Sequence, residues 1–129
     1  MSLGQVRFKM FDAWLKDLPV EVAAEIAELL DYLCEHGRGA VLPAVRQRIQ
    51  QSKHFPDMCE VRDERDVGDV RHVTRVLACF VRDDTAVLVC LGGNKREFEE
   101  KHRRDWYDVF VPVADQIVDK FSAKEKEHE

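Results

Sequence analysis

Apolar residues in the first third of the chain recur at helical spacing. Phe11, Trp14, Leu15 and Leu18 share one face of a short helix, and residues 6–10 read either as a short strand or as its lead-in. Pro19 suits the first turn of a second helix. Val22, Ala23, Ile26, Leu29, Leu30 and Leu33 then make one apolar stripe, and Gly37 is the expected cap. The pair reads as a helical hairpin or one kinked helix. After a basic connector over residues 42–51 the period changes to two. Residues 58–65 read as a strand with Met58, Glu60, Arg62 and Glu64 on one face, and residues 71–82 and 85–91 as two more. Turns fall at residues 66–69 and at Asp83-Asp84, which predicts an antiparallel meander. A two-residue loop at Asp83-Asp84 sets Phe80 opposite Val87, Leu77 opposite Cys90 and Arg75 opposite Gly92. Both faces of the last two strands are apolar, so helices must cover both. Pro112 is expected to interrupt any helix near its start, leaving residues 113–121 as a final amphipathic helix. The fold class read from this order is α+β: a small antiparallel sheet of three or four strands, N-terminal helices on one face and a C-terminal helix. Residues 1–121 form one domain and residues 122–129 a charged, frayed tail.

Composition narrows the class. The chain has 129 residues, 45% hydrophobic and 35% charged, as expected of one globular domain rather than a disordered segment. No apolar run approaches the ~20 residues that span a bilayer, and the first residues lack a signal-peptide layout, so a cytoplasmic protein without membrane contact is expected. Cys34, Cys59, Cys79 and Cys90 lack metal-ligand spacing and sit in apolar runs; they read as buried, reduced thiols. Neither a metal nor a cofactor is expected. The formal net charge of −5 argues against nucleic-acid binding by bulk charge, so any RNA contact must come from a local basic cluster.

The candidate chemistry lies where an apolar strand meets Gly92-Gly93-Asn94-Lys95. Arg75 lies beside a glycine, close to Lys95, and Arg62 lies on the strand expected next to that of Arg75. Two cations beside residues without side chains suit a phosphate, and three would stabilise the extra charge of a phosphoryl transition state. The competing reading pairs each cation with a local acid: Glu60, Glu64, Asp63 or Asp105. Trp106-Tyr107 is either a stacking surface for bases or core, and Tyr107 can offer a hydroxyl to a phosphate. Of His36, His54, His72, His102 and His128, His54 and His102 are placed nearest the cations.

In order and spacing these blocks resemble the RelE/HigB-type toxins of bacterial type II toxin–antitoxin systems, and most of all the phage-related HigB-like branch. The resemblance runs from Phe11-Asp12-Ala13-Trp14-Leu15 through Ser52-x-x-Phe55, Met58-Cys59-Glu60-Val61-Arg62, Thr74-Arg75-Val76-Leu77 and Leu91-Gly92-Gly93-Asn94-Lys95 to Trp106-Tyr107-x-x-x-Val111-Pro112. It implies an mRNA endonuclease (an mRNA interferase) that needs no metal, acts on the ribosome, inhibits translation and arrests growth, with a neighbouring antitoxin, expected to carry a helix-turn-helix, as its partner. On this resemblance Arg62 and Arg75 clamp the phosphate, Lys95 acts on the attacking hydroxyl or the leaving oxygen, and Tyr107 orients the substrate. Arg96, Arg46, Lys53 and Arg103 would contact RNA. Three features depart from the pattern: Cys59 where a basic residue is common, Lys95-Arg96 in place of paired lysines, and the acidic run Asp63-Glu64-Arg65-Asp66. They motivate two alternatives, a ParE-like non-enzymatic inhibitor of DNA gyrase and a catalytically weakened module that only binds antitoxin.

Overall fold

A computed structural model describes residues 2–127. Five strands form one mixed sheet in the order β1-β5-β4-β3-β2: β1 (Gly4–Val6), β2 (Val45–Arg46), β3 (Met58–Val67), β4 (Val70–Val81) and β5 (Ala86–Asn94). The expected meander is its antiparallel centre, β3-β4-β5. The expectation of a purely antiparallel sheet fails at the edge, where β1 runs parallel to β5. Three residues of β1 and two of β2 are too short to show a period. Beside β2, Arg62 N–H donates to the Ala44 carbonyl and Ile49 N–H to that of Met58, so the basic connector runs along β3.

Helices α1 (Lys9–Lys16) and α2 (Val20–His36) cover one face, and α4 (Trp106–Glu127) covers the other; α3 (Lys95–His102) follows β5 directly. Alternation along the strands divides the core accordingly. Val61, Val76, Ala78, Val87 and Val89 pack under Phe11, Val22, Ile26, Leu30 and Leu33. Met58, Leu77, Cys79 and Leu88 pack under Trp106, Val111, Ala114 and Val118. All four cysteines are buried and free, and burial raises the Cys59, Cys79 and Cys90 pKa values, which keeps them thiols.

Pro112 does not interrupt α4. It takes one hydrogen bond from the Asp108 carbonyl, which belongs to an exposed residue in the first turn. The buried stripe Trp106, Val111, Ala114, Asp115 and Val118 holds the helix on both sides of it. The helix runs on to Glu127, through most of the segment expected as a charged tail. Asp115 also fixes the 50–57 loop, accepting from the Ser52 hydroxyl at 2.5 Å and from Lys53 N–H at 3.0 Å.

The β4–β5 register starts as expected, with Phe80 opposite Val87, and then shifts by one at a bulge between Leu77 and Ala78. Leu77 therefore faces Leu91 rather than Cys90, and Arg75 faces Gly93 rather than Gly92. The glycines leave no space for a phosphate. A Cβ on Gly92 would lie 2.3 Å from the ring of Trp14, and one on Gly93 would lie 2.9 Å from Trp106 Nε1. One tryptophan therefore packs on each side of the strand. Gly92→Ala and Gly93→Ala are expected to cost about 1–3 kcal/mol by overpacking, Gly92 more because its clash is with ring carbons. Urea unfolding of the two variants should give that ranking.

Candidate functional site

The sheet register assembles a basic cluster on the α4 side of β2, β3 and β4. Arg62 lies directly opposite Arg75, and Arg46 directly opposite Glu60. Two arginines facing each other across strands repel, and carboxylates offset that repulsion. Glu60 is fully buried. Its Oε1 accepts from the Tyr107 hydroxyl at 3.1 Å and lies 3.3 Å from Arg46 Nε and 3.4 Å from Arg62 Nε. Arg75, only 2% exposed, donates to Glu64 at 2.9 Å, to the Thr74 carbonyl at 3.1 Å and to the Tyr107 hydroxyl at 3.3 Å. The Arg46 guanidinium lies 5.0 Å over the Tyr107 ring and Lys95 Nζ 5.9 Å from it. Lys95 also pairs with Glu99 Oε1 at 2.9 Å, while Glu99 Oε2 accepts the Trp106 N–H. Glu99 thus joins Lys95 to the first turn of α4.

The cluster has a buried layer and an accessible one. Glu60 and Arg75 are enclosed, whereas the side chains of Arg46, Arg62 and Lys95 are 42%, 33% and 27% exposed. Of the counter-charges only Glu60 lies beneath the face open to solvent; the side chains of Glu64 and Glu99 share that face, at 47% and 29% exposed. Three enclosed atoms, Glu60 Oε2, Arg46 Nε and Arg62 Nε, lack a hydrogen-bond partner. The two nitrogens are close enough to Glu60 for charge attraction but not aligned with it for a hydrogen bond.

Titration follows from these contacts. Burial works against the Arg75 charge, but the hydrogen bonds to Glu64 and Tyr107 outweigh it and raise its pKa. Burial, with the Glu60 charge beside it, raises the Tyr107 pKa and keeps the phenol protonated at neutral pH. The hydrogen bond from Arg75 lowers the Glu64 pKa, and the Trp106 N–H and then Lys95 lower that of Glu99. A carboxylate with a depressed folded-state pKa adds stability above its unfolded pKa, and that stability is lost as pH falls through the folded value. Glu64→Gln should therefore lower stability near neutral pH, by under about 1 kcal/mol at so exposed a position. The difference from wild type should vanish once the pH has fallen below the folded value. Urea midpoints at the two pH values test this.

Of the residues singled out from sequence, Arg62, Arg75, Lys95 and Tyr107 come together, and Arg46 joins them from β2. Arg96 does not; it pairs with Glu100 at 2.9 Å on the exposed side of α3. Arg103, which ends α3 in a left-handed conformation, and Lys53, in the 50–57 loop, are exposed and outside the cluster. His54 meets Asp119 at 2.8 Å, and His102 lies against Phe98 at 4.6 Å; neither contacts the cluster. His128 lies outside the described residues. Trp106 is buried, so it offers no surface to a base. The central carboxylate, Glu60, was read only as a pairing partner. Its signal was its place between Met58 and Arg62 on one strand face. Among the described residues no group of three or more His, Cys, Asp or Glu side chains is placed to hold a metal ion, and no helix is long and apolar enough to cross a membrane.

No family model and no curated protein matches the chain. Among solved structures it is similar to the Escherichia coli toxin RelE in the free state, in a variant with two arginines replaced by alanine. Identity is 14% and the TM-score 0.49, over 84% of this chain and 99% of that one.

Proposed function

We propose that the chain is the toxin of a type II toxin–antitoxin pair, of the RelE/HigB type. It acts in the cytoplasm, cleaves mRNA on the translating ribosome, and is held inactive by an antitoxin encoded beside it. The observation that carries this reading is the accessible triad Arg46, Arg62 and Lys95, set over buried Glu60 and Arg75 and half-buried Tyr107. Arginine presents a fixed fork to phosphate oxygens, and lysine a mobile point charge. Arg62 and Arg46 hold the non-bridging oxygens. The ribose 2′-oxygen forms a bond to phosphorus as the bond to the 5′-oxygen breaks, leaving a 2′,3′-cyclic phosphate and a 5′-hydroxyl. Lys95 serves at one of the two oxygens and water at the other, one accepting the 2′-proton and the other donating a proton to the 5′-oxygen. Buried Arg75 supports the site from below, through Tyr107 and Glu64, instead of clamping the phosphate. The motif order supports the family reading independently.

A second reading is a non-catalytic module that engages antitoxin or gyrase. It is favoured by the pairing of each cation in the cluster with a carboxylate. Mapping of RNA 5′ ends after brief induced expression separates the readings. The control is Arg62→Gln with Lys95→Gln, both partly exposed; a buried residue such as Arg75 would confuse loss of activity with loss of fold. New ends inside translated codons, absent in the control, are the expected result. No new ends, with both proteins folded, would overturn the nuclease reading, and a supercoiling assay would then test gyrase.

A further inference from the structure

An apolar groove of about 650 Å³ opens between α1 and α4, away from the buried centre of the basic cluster. Phe8, Phe11 and Trp14 form one wall, and Phe110, Val113 and Ile117 form part of the other. Met10, also in the lining, is 86% exposed, and Phe8 and Val113 are each 40% exposed, a large apolar surface to leave in water. Among the described residues, the only charged ones lining the groove are Lys120 and Lys124, one turn apart on α4. The floor includes Cys90, Leu91 and Gly92 of β5. β1 pairs with β5 only as far as Leu88, so from Val89 to Asn94 no described strand pairs with β5 on that side. A bare strand edge is a template for another strand, and β-augmentation draws affinity from the main chain and selectivity from side-chain pockets.

We propose that this groove docks an extended segment of a partner protein in which apolar and acidic residues alternate. The segment adds a strand to β5 beyond Leu88, lays its apolar side chains between the two aromatic walls, and sets its carboxylates beside Lys120 and Lys124. Extension rather than a helix is argued from the unpaired β5 edge, and acidity from two lysines with no carboxylate among the described lining residues. The inference stands apart from the RNA reading.

The test uses fluorescein-labelled octapeptides alternating leucine with glutamate, their leucine–lysine counterparts, and two glutamate versions N-methylated at every second amide, one in each register. Binding to the whole chain is followed by anisotropy. The glutamate peptide should saturate and bind at least about tenfold more tightly than the lysine peptide. Lys120→Glu with Lys124→Glu should reverse that order. Met10→Asp with Val113→Asp, both exposed positions, should abolish binding with circular dichroism unchanged, and N-methylation in one of the two registers should abolish it too. Equal binding of the two charge types, insensitivity to the groove variants, or no binding at all would overturn the proposal. Binding that survives N-methylation in both registers would overturn strand addition. Concentration-dependent dimerisation that shields Trp14, or saturable uptake of laurate without peptide binding, would assign the groove to a second copy or to an acyl chain instead.

Discussion

Glu60→Ala should leave the domain about 3–5 kcal/mol less stable, the range for breaking a buried charge network by removing one partner. Glu60 is 0% exposed, and its Oε1 meets the Tyr107 hydroxyl and lies between the Nε atoms of Arg46 and Arg62. Without it Arg62 and Arg75 still face each other across β3 and β4, and Arg46 still adjoins from β2. The other acids of the cluster are already committed, Glu64 to Arg75 and Glu99 to Lys95. The uncompensated guanidinium groups must turn to solvent or pull the strands apart. Tyr107→Phe removes one hydrogen bond in the same network and should cost only about 1 kcal/mol. Urea denaturation of both variants checks the contrast. If Glu60→Ala were no more costly than Tyr107→Phe, the cations would be held by solvent and not by the buried carboxylate.

The same carboxylate shows what the sequence made legible. Alternation in residues 58–64 put Glu60 and Arg62 on one face, and the long apolar runs of β4 and β5 required covers on both sides; the sheet centre, α1, α2 and the final helix follow from those patterns. The missing parts have physical causes. A bulge leaves no mark in an apolar run, so Arg75 was placed one residue off. The glycine pair carries no sign of what fills the space above it, and two tryptophans distant in sequence fill it. β1 and β2 are recognisable only by their partners. Arg46 entered the cluster because β2 pairs it with Glu60, a contact that no spacing in the connector encodes. Pro112 counted locally against a helix that tertiary burial maintains.

On the proposed nuclease reading, Arg62→Gln should lower RNA cleavage roughly 10²–10³-fold, the range for removing one donor aimed at charge that develops in a transition state. The same change leaves Glu60 with Arg46 and the Tyr107 hydroxyl, so it should cost less stability than Glu60→Ala. The contrast follows from the layering of the cluster. Arg62 has a third of its side chain in water and an Nε without a hydrogen-bond partner, so the fold asks less of it than of Arg75. A phosphate arriving at this face competes with Glu60 for Arg46 and Arg62, and with Glu99 for Lys95. Glu60 is too enclosed to leave, so the guanidinium groups must bridge the carboxylate below and the phosphate above. Each has the donors to do so, because Nε faces Glu60 while the terminal nitrogens remain for the ligand. Lysine at position 62 keeps the charge but loses the fork, so Arg62→Lys should recover only part of the activity. Single-turnover cleavage of a ribosome-bound message by wild type, Arg62→Gln and Arg62→Lys, alongside urea midpoints, tests the argument. A parallel fall in activity and stability would place Arg62 in the scaffold and leave Arg46 and Lys95 as the groups that meet the phosphate.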